Sequence, residues 1–170
     1  MGYAFLQGYL DSLCGVYCIV NAEKVINKSS DDQSQRIFNL IVRYLSRNGD
    51  LDKAIIKGIS YTQILRIIND ILSKRISVFD SRKSFSDLDD WWNYSETFIN
   101  YTTNGSIILS LGGREDHYTA IKSMTDGMIT LSDSGGIRTI RKTSCVLKGN
   151  DDSDKYIIYP YQCIYLTKES

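Results

Sequence analysis

Leu13–Ile26 reads LCGVYCIVNAEKVI. As far as Ala22, a helix drawn through this stretch is apolar on nearly every side, which is the pattern of a helix buried all round. Asp11 and Ser12, immediately upstream, are residue types that cap helix N-termini. The expectation is a central buried helix with Cys14 in its first turn.

Working outward, the next segments keep a helical period. Gln33 to Arg47 places Ile37, Leu40, Ile41, Tyr44 and Leu45 at three-and-four spacing and ends before Asn48-Gly49. Leu51 to Lys57 reads as one further helical turn or two. Ser60 then caps a segment with Ile64, Leu65, Ile68, Ile71 and Leu72 on its inner face. Ile76 to Phe79 reads as a short strand. Ser86 to Tyr101 reads as a helix, opened by Asp87, Asp89 and Asp90, whose charges suit a helix N-terminus.

After residue 105 the period changes to two. Ser106 to Leu111, His117 to Lys122, Met128 to Ser132, Ile137 to Arg141 and Gln162 to Thr167 read as strands. Gly112-Gly113, Asp126-Gly127 and Gly135-Gly136 punctuate them as turns, and Gly149 to Lys155 reads as an exposed loop. Helices first and strands afterwards predict an α+β fold, with the buried helix and its companions packed on a C-terminal antiparallel sheet. At 170 residues the chain is expected to form one domain.

Composition narrows the function. Twenty basic residues balance twenty acidic ones. Arg36, Arg43, Arg47, Lys53 and Lys57 alternate with acids instead of clustering with aromatics, so no nucleic-acid partner is expected. The N-terminal stretch lacks the cationic lead of a secretory signal, position 6 is Leu where a myristoylation pattern needs Ser or Thr, and no apolar run reaches spanning length. The expectation is a cytoplasmic protein without a membrane partner, whose four cysteines are free thiols. With a single histidine and no CxxC spacing, no metal site is expected.

A thiol attacks as thiolate, and a helix N-terminus favours that anion. Cys14 occupies such a position, and Gly15 beside it is expected to leave the backbone open to an approaching carbonyl. The competing role for Cys14 is that of a small buried hydrophobe, like Cys18. His117, the sole histidine, opens a strand after a polar loop and is the one imidazole able to act as base. Asp133 ends the next strand, so the Asp126-Gly127 hairpin brings its carboxylate to the imidazole, where it is expected to accept from Nδ1. Asp before Ser-Gly-Gly is also ordinary turn chemistry. Gln7, upstream of Cys14, is the candidate side-chain donor of an oxyanion hole. Tyr9, Trp91 and Trp92 are candidate cleft aromatics, with core packing as the competing role of the tryptophans.

The order Gln, Cys, His, Asp resembles that of papain-like cysteine peptidases in the broad sense. Gln7 to Tyr17 looks like their oxyanion and nucleophile block, and His117 to Ile121 followed by Leu131-Ser132-Asp133 looks like their histidine strand and acid. Two compact groups are similar in size and order, the leader-peptidase domains of bacteriocin exporters and the Josephin deubiquitinases. Leu13 before Cys14 is closer to the Josephin pattern, whereas Asp133 matches the leader peptidases and not the Asn of Josephins.

The resemblance implies a papain-like thiol hydrolase that cleaves a peptide or isopeptide bond of a peptide or protein substrate, ubiquitin-like proteins included, without a cofactor. Two alternatives stay open. One is a glutamine deamidase or transamidase on the same scaffold, and the other is a non-catalytic interaction protein that keeps the fold.

Overall fold

The computed structural model describes residues 4–8, 11–79, 84–114, 116–150, 152 and 154–169. Five α-helices run in the order α1 (Cys14–Asn27), α2 (Asp31–Arg47), α3 (Leu51–Lys57), α4 (Tyr61–Ile67) and α5 (Leu88–Tyr101), among the described residues. The strands are β1 (Ile76–Phe79), β2 (Ser106–Gly113), β3 (His117–Met124), β4 (Met128–Ser132), β5 (Thr139–Arg141), β6 (Cys145–Leu147), β7 (Tyr156–Ile158) and β8 (Ile164–Lys168). They form one eight-stranded sheet in the order β1-β8-β2-β3-β4-β5, with β7 against β2 and β6 against β7. Every pairing is antiparallel except β6 with β7. The fold is α+β, as expected.

Alternation along β2 shows how the sheet is covered. Ile108 joins a core formed with α1, α2 and α4, whereas Ile107, Leu109 and Leu111 join a second core with Trp91, Trp92 and Phe98 of α5. Both faces are therefore dry. This corrects the expectation of helices packed on a sheet that comes last in the chain: α5 covers the opposite face, and β1 joins the edge beside β8. The tryptophans belong to that second core, fully buried, and do not reach a cleft; Tyr9 lies outside the described residues.

Ser30 and Ser60 each form a reciprocal capping box, with Gln33 and Gln63 respectively, which fixes where α2 and α4 begin. The start of α1 differs from expectation. Its cap position is Leu13 and no side chain caps it. Asp11 is one turn residue too early, because its Oδ1 accepts from the Leu13 N–H at 3.0 Å. Ser12 points elsewhere: its N–H donates to the Ile55 carbonyl at 2.9 Å and its hydroxyl to the Ile56 carbonyl at 3.1 Å. The C-terminal carbonyls of α3 thus hold the segment that enters α1, and Cys14 is the first helical residue.

Two glycine readings are also corrected. Gly112 and Gly113 are not a turn but the end of β2, paired with Ile157 and Tyr156. A Cβ on Gly112 would lie 2.5 Å from the Tyr159 hydroxyl, and Gly113, at φ +75, would meet the Lys155 carbonyl oxygen at 2.5 Å. Close approach of neighbours, and not a reversal of the chain, requires glycine there. Gly15 is likewise covered: a Cβ on it would stand 2.5 Å from Ile59 Cγ1, so it admits the α3–α4 connection and not a substrate.

No helix among the described residues is long and apolar enough to cross a membrane. All four cysteines are free thiols.

Candidate active site

Cys14 stands at the N-terminus of α1, where the first backbone N–H groups have no intrahelical acceptor. The Cys14 N–H has no hydrogen-bond partner among the described residues, and the Gly15 N–H faces the sulfur. Helix α1 packs across β3 and β2, which brings its N-terminus to the beginning of β3, where His117 lies. The sole histidine and the half-buried thiol therefore meet.

Register places the third residue. Ala120 pairs with Ser132, so one step beyond the end of β4 sets Asp133 beside Thr119 and within side-chain reach of His117. The His117 Nε2 to Asp133 Oδ1 distance is 2.6 Å. The carboxylate is buried and itself held, because its Oδ2 accepts from the Gly135 N–H at 2.8 Å and the Ile137 N–H at 2.9 Å. The buried Thr119 hydroxyl also favours the charged form without reaching full hydrogen-bond geometry. Asp133 was expected to take Nδ1; it takes Nε2 instead, which leaves Nδ1 as the ring nitrogen available to the sulfur. Asp133 reaches the ring from the end of β4, the strand that flanks β3.

The electrostatics follow. Burial opposes the Cys14 thiolate, but the hydrogen bond to His117, the Tyr118 N–H, the imidazolium charge and the Gly15 N–H outweigh it and hold the thiol below its ordinary 9.0. Burial also disfavours charged His117, yet the hydrogen bonds to Asp133 and Cys14 and their charges raise it from 6.5 to about 10. Asp133 is pushed up by burial and pulled further down by His117, ending below 3.8. The three titrate as a coupled unit, and the directions describe a thiolate–imidazolium pair backed by a carboxylate. Cys18 behaves oppositely. Fully buried, it is raised well above 9.0, and Cys145 and Cys163 are each raised to about 12, mainly by burial.

An open groove of about 460 Å³ runs over Cys14 and His117. Lys57, Gly58 and Ile59 line it from the end of α3, Ser12 from the entry to α1, and Ser110, Leu111, Tyr159 and Gln162 from the sheet side, with Asp116 and Tyr118 beside the histidine. A smaller hollow of about 220 Å³ between residues 5–6 and helices α1 and α2 is lined by both aromatic and polar side chains, Ser34 and Gln35 among them, and holds none of the triad.

Gln7 is tied in beside the triad. Its backbone N–H donates to the Ser134 carbonyl at 2.9 Å, next to Asp133, and its side-chain Nε2 donates to the Asp11 carbonyl at 2.5 Å. Its Oε1 is buried without a hydrogen-bond partner, and Gln7 is not among the residues that line the groove.

Sequence reasoning missed Tyr159 and Gln162. The signal was Pro160, the only proline in the chain. It opens the 3₁₀ turn Pro160–Gln162, and lacking an N–H it cannot continue a strand ladder. The turn interrupts the run from β7 to β8 along one edge of β2 and sets Gln162 against Ser110.

Among the described residues no group of three or more His, Cys, Asp or Glu side chains is arranged to hold a metal ion. Comparison with protein-family models, with curated proteins and with solved structures finds no match to this chain.

Proposed function

We propose that this protein is a cysteine hydrolase of papain-like type, cleaving a peptide or isopeptide bond through Cys14, His117 and Asp133. The observation that carries the reading is the position of His117, bonded to the Asp133 carboxylate through Nε2 and lining one groove with the Cys14 thiol.

In the proposed cycle the Cys14 thiolate adds to the carbonyl carbon, and the carbonyl π electrons move to oxygen. The unpartnered Cys14 N–H is the first donor to that oxyanion, with the Gln7 amide as the proposed second; the latter requires Gln7 to exchange its bond to Asp11. The imidazolium then gives its proton to the departing amine as the C–N bond breaks, leaving a thioester. Water adds to the thioester while neutral His117 accepts its proton. Collapse releases the carboxylic acid and restores thiolate and imidazolium. Asp133 holds the ring and favours its charged form throughout.

The test is incubation of the wild-type chain and of Cys14→Ala with a peptide library, with new termini read by mass spectrometry. The proposal expects cleavage by the wild type alone. Side-chain deamidation without cleavage would shift the reading to an amidase on the same scaffold, and no Cys14-dependent change would sink it.

A further inference from the structure

The sheet side of the groove carries a polar device that the triad does not use. Gln162 Oε1 accepts from the Ser110 hydroxyl at 3.0 Å and from the Tyr118 hydroxyl at 3.3 Å. Those two bonds use both lone pairs of the oxygen and fix which way the amide faces. Gln162 Nε2 has no hydrogen-bond partner among the described residues, and the residue lines the groove over Cys14 and His117. Three residues from different elements therefore cooperate to orient the amide of a residue that lines the same groove as the nucleophile.

The support is specific. Ser110 lies in β2 opposite Tyr118 in β3, so both hydroxyls rise from one cross-strand pair. The turn that Pro160 opens is anchored by the Tyr159 N–H on the Ser110 carbonyl at 3.2 Å. Side chain and backbone of Ser110 thus hold the two ends of the same short segment. A glutamine serving only to fill space would need neither hydroxyl.

We propose that Gln162 is a substrate-binding residue, whose amide NH₂ donates to a backbone carbonyl of an extended peptide flanking the bond that Cys14 attacks. The proposal rests on the thiol-hydrolase reading and adds to it a recognition element for the main chain of the substrate. An NH₂ donor held rigidly by its oxygen suits a carbonyl acceptor, and a main-chain carbonyl is the acceptor that every peptide offers at a fixed distance from its neighbouring bond. Ser110 and Tyr118 act through Gln162, as positioning residues.

The experiment compares two thiol reagents on the full chain, with labelling at each cysteine followed by intact and peptide mass. Iodoacetamide reports the reactivity of the sulfur alone. An epoxysuccinyl electrophile carrying a tripeptide on each carboxyl occupies the groove on both sides. The readout is the ratio of the two second-order rate constants at Cys14, which cancels changes in the thiolate itself.

Gln162→Ala is expected to lower that ratio about tenfold, and Ser110→Ala to lower it in the same direction by releasing the amide, at unchanged iodoacetamide rate. Gln162→Glu keeps an acceptor for both hydroxyls but replaces the donor with a second acceptor, so its ratio should fall below that of Gln162→Ala. A ratio unmoved by Gln162→Ala, or retained by Gln162→Glu, overturns the inference while leaving the hydrolase reading intact. Failure of Cys14 to label ahead of Cys18 in the wild type overturns both.

Discussion

His117 Nε2 lies 2.6 Å from Asp133 Oδ1, and the backbone of Gly135 closes over that bond, so that a Cβ there would stand 3.7 Å from the imidazole Nε2. The acid is itself pinned by two backbone N–H groups. A carboxylate fixed in this way sets the orientation of the ring that shares the groove with Cys14.

Removing Asp133 should therefore act on both chemistry and stability. Asp133→Ala leaves the Gly135 and Ile137 N–H groups without their acceptor, at a cost of about 1–3 kcal/mol, and its Cys14-dependent turnover should fall by about 10²–10⁴. Asp133→Asn retains an oxygen for those N–H groups, so its melting temperature should stay nearer the wild-type value. The contribution of a carboxyl whose folded pKa is depressed is present above its unfolded value of 3.8 and is lost as pH falls through the lower folded value. The difference in melting temperature between wild type and Asp133→Asn should accordingly narrow in strong acid.

Gly15 is required by packing. In Gly15→Ala the new methyl must displace Ile59, whose Cγ1 would otherwise be 2.5 Å away. Overpacking of this kind costs about 1–3 kcal/mol, which exceeds the gain of up to about 1 kcal/mol in helix propensity. Thermal unfolding should show a net loss of stability, and Ile59→Ala in the same chain should make the Gly15→Ala substitution less costly. A double-mutant cycle checks the coupling.

Glu23, in α1, is fully buried and its Oε1 accepts from Arg75 Nε at 2.8 Å, with Asn27 and Ser29 also donating to it at 3.1 Å. Arg75→Met would leave that carboxylate without its counter-charge, and breaking such a pair costs on the order of 3 kcal/mol. Because α1 is fixed at its other end by the Ser12 bonds to α3, the substitution should lower the melting temperature without altering alkylation of Cys14. Denaturant unfolding and iodoacetamide labelling of the same variant check the two halves of this prediction.

What was legible in the sequence was local. Helix α1 announces itself by its unbroken apolar face, and the β3–β4 hairpin by alternation around Asp126-Gly127, so Cys14, His117 and Asp133 are readable as one constellation. The ring nitrogen that faces Asp133 was not readable, since it depends on the side from which β4 flanks β3. Strands β6 and β7 are three residues each, too short to show a period, and β7 is recruited by β2 across more than forty positions of chain. Gly112-Gly113 misled for a physical reason: glycine marks both turns and close backbone approach, and only the neighbours Tyr159 and Lys155 tell which. Gln162 was hidden by the same long-range pairing, because its role exists only once Ser110 and Tyr118 stand opposite each other.

The most direct test of the central claim is the pH dependence of Cys14 alkylation by iodoacetamide in the wild type and in His117→Ala. As the pH rises through the lowered pKa of Cys14, the thiolate–imidazolium pair forms, and it is lost when His117 releases its proton at about 10. The wild type should label at Cys14 alone, with an apparent pKa below 9.0, and His117→Ala should move that titration upward. A Cys14 that titrates at or above 9.0 in the wild type, with no response to loss of the imidazole, would contradict the account.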